Sequence, residues 1–434
     1  MLRCGLLGEK LGHSYSPAIH AELADYEYKL HECAPEDVEA FLTGCGNGSA
    51  KGIVSGRCAS DCESTGCKHI AEWDGLNVTI PYKKTVMKYC DELSDTARKI
   101  GSVNTLVRRA DGSIYGDNTD AYGFELLVRK SGIDVRGKKA LVLGSGGASV
   151  TVCSVLASLG ADPVVVISRS GADNYENIKE RHADAEIIVN TTPVGMYPHN
   201  GEAPLDLAEF PRCCGVLDII YNPERTELLL AAERLGIPHA GGLYMLVAQA
   251  KRSSELFTGI RITDSEIERI EKKLAAAMKN IVLIGMPGCG KSTVAGLLGA
   301  ALGREVFDAD ALVSELAGMS IPDIFAKYGE EVFRKYETEA IRELGKKSGA
   351  VIATGGGCIT RAENYPLLHQ NGVIVWLKRD ISMLPKDGRP ISQKSDLDEL
   401  YEARRELYAQ FSDFAADNNG SAEAAARAII RALI

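Results

Sequence analysis

Long apolar runs are missing from this 434-residue chain. No stretch approaches the roughly 18 apolar residues of a membrane-spanning helix. The opening Met1-Leu2-Arg3-Cys4-Gly5-Leu6-Leu7-Gly8 reads straight into a strand and lacks the shape of a secretory signal. An excess of positive charge is missing too. Lys and Arg number 49 against 59 Asp and Glu, a formal net charge of -10, so nothing marks the molecule as a nucleic-acid binder. A local Arg or Lys can still hold an anionic small molecule. Paired Cys-x-x-Cys spacing is also absent, although there are twelve cysteines. Cys45, Cys58, Cys62 and Cys67, with His69 behind them, crowd one Gly/Ser-rich stretch without the spacing of a standard zinc site. That stretch is expected to be a metal-free insert, and the thiols to be reduced. What remains is a cytoplasmic chain. Its 45% hydrophobic and 25% charged residues suit a folded globular protein of two or three domains.

Strand-like apolar runs alternate with helix-like segments almost throughout, which predicts α/β architecture with mostly parallel sheets. Two runs lead into glycine-rich turns. Lys139 to Leu143 precedes Gly144-Ser145-Gly146-Gly147-Ala148, and Asn280 to Ile284 precedes Gly285-Met286-Pro287-Gly288-Cys289-Gly290-Lys291-Ser292. The loops belong to different classes, so they imply two nucleotide-dependent domains and no internal repeat. Between them, Thr263-Asp264-Ser265-Glu266 has the form of a capping box opening a helix over Ile267 to Met278. The second strand follows at once, which places a boundary near Lys279 without a long linker.

The second loop has the full phosphate-loop pattern. Gly285, Gly288 and Gly290 let backbone N–H groups close on a β-phosphate, and Lys291 reaches the β/γ oxygens. The Ser292 hydroxyl takes a Mg²⁺ position as Thr293 enters the helix. The pattern specifies a nucleoside triphosphate but no acceptor. Behind it come Phe307-Asp308-Ala309-Asp310, Phe333-Arg334-Lys335-Tyr336-Glu337, Thr354-Gly355-Gly356-Gly357, Gly388-Arg389-Pro390, and Arg404 four residues before Tyr408. Singly these are weak, but five in order are hard to explain by chance. Residues 280–434 resemble shikimate kinase. The resemblance implies a P-loop fold using ATP and Mg²⁺, with Asp308 supporting the metal and Asp310 receiving the acceptor hydroxyl. It also implies that Arg334 and Arg404 grip the shikimate carboxylate, that Gly356 and Gly357 bring backbone against the ring, and that Arg389 closes on the phosphates. The lid from Arg379 to Ser392 has fewer basic residues than in many relatives, so looser closure is expected, with Lys386 substituting for an arginine.

The N-terminal side carries His13-Ser14-Tyr15-Ser16-Pro17, then Gly75-Leu76-Asn77-Val78-Thr79-Ile80-Pro81-Tyr82-Lys83. Gly101 to Thr105 (with Asn104), Gly116 to Asp120, Asn190 to Met196, Asp218 to Tyr221, Gly242, and Met245 to Gln249 follow. Reducing a ketone needs a hydride donor on one face and a proton source near the developing alkoxide. Lys83 can supply the proton, and Asp120 can orient it. Residues 1 to about 275 resemble shikimate dehydrogenase. The resemblance implies that Ser14 and Ser16 hold the substrate carboxylate, and that Asn77, Thr79, Asn104, Tyr221 and Gln249 line the same site. The Gly144 to Ala148 turn is set to place pyrophosphate on a helix N-terminus, with Gly242 also at the cofactor. The strand Pro163 to Ile167 ends in Ser168-Arg169-Ser170 with no acidic residue, which favours NADP over NAD.

The expected architecture is therefore a substrate domain of residues 1–125 with about 243–275, a Rossmann-type domain of 126–242, and a P-loop domain of 280–434. One oxygen links the two activities: a C3 carbonyl reduced with NADP(H), then phosphorylated with ATP. The alternatives are a dehydrogenase that also accepts quinate, or one half kept as a non-catalytic module. The partners expected are small-molecule substrates only, neither nucleic acid nor membrane.

Overall fold

Short apolar runs such as Ala140–Leu143 and Asn280–Ile284 are buried along their whole length, as strands covered by helices on both faces are. In the computed structural model, which describes residues 1–12, 14–44, 73–384 and 397–433, such runs build three sheets among the described residues. The first contains β1 (Arg3–Gly8), β2 (Glu27–Glu32), β3 (Gly75–Val78), β4 (Glu92–Leu93), β5 (Thr105–Arg108) and β6 (Ile114–Asp117), in the order β2-β1-β3-β5-β6-β4. It is mixed, because β5 runs antiparallel to both β3 and β6. The second contains β7 (Ala140–Leu143), β8 (Val164–Ile167), β9 (Ile187–Asn190), β10 (Gly215–Asp218) and β11 (His239–Ala240), ordered β11-β10-β9-β7-β8. The third contains β12 (Asn280–Ile284), β13 (Val306–Asp308), β14 (Val351–Ala353), β15 (Gly372–Lys378) and β16 (Phe414–Asp417), ordered β13-β14-β12-β15-β16. These two sheets are parallel throughout.

Both glycine turns feed directly into helices, Gly147–Ser158 and Lys291–Leu302, the second beginning two residues before Thr293. The first turn of a helix needs no internal partner for its N–H groups, so polar or glycine residues there do not delay it. The helix Ser265–Met278 is followed by β12 after one residue, so the junction carries no linker.

The chain forms two compact units. One comprises Met1–Thr192, Leu207–Ile219 and Gly236–Glu271; the other comprises Pro193–Asp206, Ile220–Leu235 and Lys272–Ile434. The first holds two sheets, and the second holds the third sheet with two excursions from earlier in the chain. Those excursions are fastened inside the second unit by directed bonds. The Arg225 amide donates to the Gln370 carbonyl and its guanidinium to the His369 carbonyl, both at 2.9 Å. The Glu224 amide donates to Asn371 Oδ1 at 2.8 Å, and Asn200 Nδ2 to Gln370 Oε1 at 2.8 Å.

Two glycines should respond to alanine with opposite signs. A Cβ on Gly242, which opens the helix Leu243–Thr258, would lie 2.0 Å from the Ile219 carbonyl oxygen, and backbone there cannot yield. Gly242→Ala is expected to destabilise by about 1–3 kcal/mol. Gly296 is exposed within its helix and a Cβ would meet nothing. Gly296→Ala should stabilise by about 0.5–1 kcal/mol. Urea unfolding of both variants checks the two signs.

Candidate active sites

In the first unit, β3 runs out through Thr79 to Lys83, and the helix Thr119–Ser131 starts one residue before Asp120. Asn118 caps that helix, its side chain accepting from the Ala121 amide. The result is an ion pair of 2.6 Å between Lys83 Nζ and Asp120 Oδ2, with both side chains only partly exposed. The lysine is held in place from its backbone as well: the Lys83 carbonyl accepts from Val103, and the Val78 amide donates to the Asn104 carbonyl. Ser14 Oγ accepts from the Ser16 amide at 3.2 Å, at the start of the helix Ser16–Leu23.

Behind the pair lies a buried polar cluster. Asn104 Oδ1 accepts from the Thr119 amide (2.7 Å) and from the Thr105 and Thr119 hydroxyls (both 3.1 Å). This fixes the orientation of the carboxamide. Gln249 Nε2 donates to the Leu246 carbonyl at 2.9 Å. Asn77 joins Tyr28, Thr105 and Ser253. Tyr28 and Ser253 are not legible as site residues, because nothing in their own sequence surroundings marks them, and Thr105 is visible only as the end of the Gly101 to Thr105 motif. Tyr221 lies half-buried in the second unit.

The carboxyl ends of β7, β8 and β9 converge on one crevice, the usual ligand edge of a parallel sheet. Gly144 has φ +103°, and a Cβ there would press on Thr192. Gly146 caps the next helix without a side-chain bond, and Cβ atoms on Gly146 and Gly147 would meet nothing. The turn is therefore an open cradle of backbone at a helix N-terminus. Ser168 is half-buried, whereas Arg169 and Ser170 are exposed beyond β8. These residues fit a dinucleotide with an extra phosphate.

In the second unit three cations are buried among the described residues, and two of them, Arg334 and Arg404, meet one glycine strip, residues 355–357. Lys291 is 8% exposed, Arg334 5% and Arg404 7%. Lys291 Nζ donates to the Gly285 and Met286 carbonyls at 2.9 and 3.1 Å. Arg334 pairs with Glu337 at 2.7 Å and Glu330 at 2.9 Å. Burial raises the Glu337 carboxyl above its ordinary range, against the opposing pull of Arg334. Arg404 donates to the Gly356 carbonyl at 3.1 Å and makes no ion pair among the described residues. A Cβ on Gly355 would strike Glu337 and Asp310, one on Gly356 would strike Pro287, and one on Gly357 would lie 2.3 Å from Arg334 Nη1. Ser292 Oγ donates to Asp308 Oδ2 at 2.8 Å, and Asp308 Oδ1 accepts from the Asp310 amide. This hydroxyl–carboxylate pair suits Mg²⁺, which takes few protein oxygens and keeps waters. Glu337 and Asn418, whose Nδ2 donates to the Cys289 carbonyl at 2.7 Å, are contributors that the motifs did not reveal as site residues.

Arg389 and Lys386, like His13 and the cysteine stretch with Cys45, Cys58, Cys62, Cys67 and His69, lie outside the described residues.

The shikimate kinase family model matches residues 287–434, and the shikimate dehydrogenase substrate binding domain model matches residues 61–106. The chain is 36% identical over 270 residues to a shikimate dehydrogenase (NADP(+)) of Clostridium beijerinckii, covering 58% of this chain and 90% of that one. It is similar to the crystal structure of a chorismate mutase/shikimate 5-dehydrogenase fusion protein from Clostridium acetobutylicum (34% identity, TM-score 0.54, 63% of this chain and 97% of that one). It is also similar to the shikimate 5-dehydrogenase of Thermus thermophilus in complex with NADP(H) and shikimate (28% identity, TM-score 0.51, 63% and 99%).

His20 gives the first unit a pH signature. Its ring is fully buried, stacked at 4.0 Å on Tyr28, with Nδ1 bonded to the Tyr26 hydroxyl. Burial pushes its pKa down to about 3, with the Asn77 hydrogen bond resisting. The unfolded chain binds a proton near pH 6.5 that the folded chain refuses. This part of the stability is complete above about pH 6.5 and is lost as pH falls from there towards 3. Between pH 7 and pH 5 the loss should be about 2 kcal/mol. His20→Phe should remove that slope in urea unfolding; an unchanged slope would assign it elsewhere.

Proposed function

We propose that this chain, which belongs to the shikimate dehydrogenase family and continues into a shikimate kinase region, is a two-site enzyme of the shikimate pathway. It reduces 3-dehydroshikimate to shikimate with NADPH and then phosphorylates shikimate at the same C3 oxygen with ATP, giving shikimate 3-phosphate. The observation that carries the first step is the Lys83–Asp120 pair at 2.6 Å. The observation that carries the second is the pair of buried arginines, Arg334 and Arg404, at Gly356 and Gly357, with Asp310 beside Gly355. The domain reading that goes with it places the reduction in residues 1–125 with 243–275, the dinucleotide in 126–242, and the phosphorylation in 280–434.

At the first site, Ser14 and Ser16 hold the carboxylate, and Thr79, Asn104 and Gln249 address the ring hydroxyls. NADPH, when bound by Gly144 to Ala148, Gly242 and Ser168 to Ser170, supplies the hydride. Lys83 delivers the proton to the C3 oxygen as charge develops there. Asp120 keeps one N–H of the ammonium engaged, so that another points at that oxygen.

At the second site, Arg334 and Arg404 receive the same carboxylate with planar forks that suit it. Gly356 and Gly357 let the ring approach backbone. Asp310 accepts the proton of the C3 hydroxyl and keeps that oxygen aligned. Lys291, Thr293 and the loop amides hold the phosphates of ATP, and Arg389 closes over them. Ser292 and Asp308 would hold Mg²⁺, which when bound neutralises phosphate charge. The setting consistent with both activities is the cytoplasm.

Purified chain should oxidise NADPH with 3-dehydroshikimate and release ADP with shikimate and Mg-ATP; absence of either activity overturns that half. Comparing shikimate with quinate in the reverse direction tests the broader dehydrogenase. Lys83→Ala should abolish most reduction and leave phosphorylation near normal. Arg169→Ala should weaken NADPH far more than NADH, because a charged hydrogen bond to the 2′-phosphate contributes roughly 1.5–3 kcal/mol. Asp310→Asn should lower kcat on shikimate by about 10²-fold or more while ATP binding persists. Asp308→Asn should instead recover part of its activity at high Mg²⁺.

A further inference from the structure

Asn77 sits 5% exposed at the end of β3, six residues before Lys83, and its carboxamide is spent inside the protein. Its Oδ1 accepts from the Tyr28 hydroxyl at 2.8 Å, and its Nδ2 donates to Ser253 Oγ at 2.7 Å and Thr105 Oγ1 at 3.3 Å. Both N–H bonds are thereby committed. A group in this state cannot donate to a substrate without abandoning a buried partner, which costs about 1–3 kcal/mol.

Ser253 is the centre of this arrangement. It is fully buried on the helix Leu243–Thr258 and donates to the Gln249 carbonyl one turn back at 3.0 Å. Its oxygen also lies 2.9 Å from Thr105 Oγ1 and 3.0 Å from Thr119 Oγ1. Through Asn77 it is tied to the segment that leads to Lys83. Through Thr119 it is tied to the residue that precedes Asp120. Both threonine hydroxyls continue to Asn104 Oδ1. On the far side, the Tyr28 hydroxyl donates to Asn77 Oδ1, and its ring stacks on the buried His20. One hydroxyl thus links the strand bearing the proton donor, the helix bearing its carboxylate partner, and the Asn104 carboxamide.

We infer that Ser253 and Tyr28 are positioning residues of the dehydrogenase site, acting through Asn77, whose carboxamide they and Thr105 leave no freedom to turn. The inference rests on the dehydrogenase reading of this site. Ser253→Ala leaves one N–H of Asn77 without a buried acceptor and takes away the oxygen that Thr105 and Thr119 pack against. They reorganise, and the Lys83 and Asp120 segments lose their common anchor. Displacements of an ångström at such a pair cost on the order of 10²-fold in rate.

The test uses the full chain. Ser253→Ala should lower kcat/KM for 3-dehydroshikimate by about tenfold or more. The pH profile of kcat/KM should shift, while the KM for NADPH and the rate of shikimate phosphorylation stay within about twofold. Ser253→Thr, which keeps the hydroxyl, should recover most of the loss. Tyr28→Phe removes one oxygen from the other end of Asn77 and should show the same split. The double variant should cost less than the sum of the two, as linked residues do. Should Ser253→Ala fail to fold, the split in Tyr28→Phe decides. An unchanged kcat/KM for 3-dehydroshikimate with an unchanged pH profile in these variants overturns the positioning role, as does a parallel fall of both activities. If the wild-type chain does not reduce 3-dehydroshikimate at all, the dehydrogenase reading falls and takes this inference with it.

Discussion

A Cβ on Gly357 would lie 2.3 Å from the Arg334 guanidinium, one on Gly242 would lie 2.0 Å from the Ile219 carbonyl, and one on Gly285 2.6 Å from the Leu377 carbonyl. Each of these glycines marks a place where main chain must come closer to something than any side chain allows. The sites on this chain are assembled around such approaches. Phosphates and pyrophosphates are large anions best met by several N–H groups at once, and only bare backbone can present that many from one turn. The parallel sheets follow from the same need, since they deliver strand ends side by side where the turns can open towards a ligand.

Charge is handled differently in the two units. The first exposes its working pair enough for water to share the load, and Lys83 and Asp120 neutralise each other. The second buries Lys291, Arg334 and Arg404, the two arginines against one glycine strip, with Glu337 as the buried counterweight. Burying like charges together is costly unless an anion arrives. Glu337 already engages Arg334, so the unsatisfied demand is concentrated on Arg404 and the loop lysine.

Much of this was legible in the residues in order, because the chemistry is local. A strand, a glycine turn and a helix are contiguous, so Ala140 to Ser158 and Asn280 to Leu302 could be placed within a few residues. Lys83 and Asp120 stood out through their flanking motifs. What stayed hidden was made by distant pairing. Asn77 and Ser253 are separated by 176 positions, and no spacing rule joins them. A serine in a helix reads as neutral, and its role emerges only once four polar groups are found around it. The same holds for Glu337, visible as the end of a motif but not as the carboxylate that engages Arg334.

The fastening of Arg225, Glu224 and Asn200 to His369, Gln370 and Asn371 bears on how the chain could be divided. Residue 279 looks like a natural place to cut, since one helix ends and a strand begins there. Yet two stretches from well before that point belong to the same compact unit as everything after it. Separating the polypeptide at the junction would strip the 369–371 corner of its carbonyl and carboxamide partners and leave a raw polar surface. Two genes made by splitting this one at its sequence boundary would encode halves that still need each other. Residue 279 is thus a boundary in sequence and not in packing.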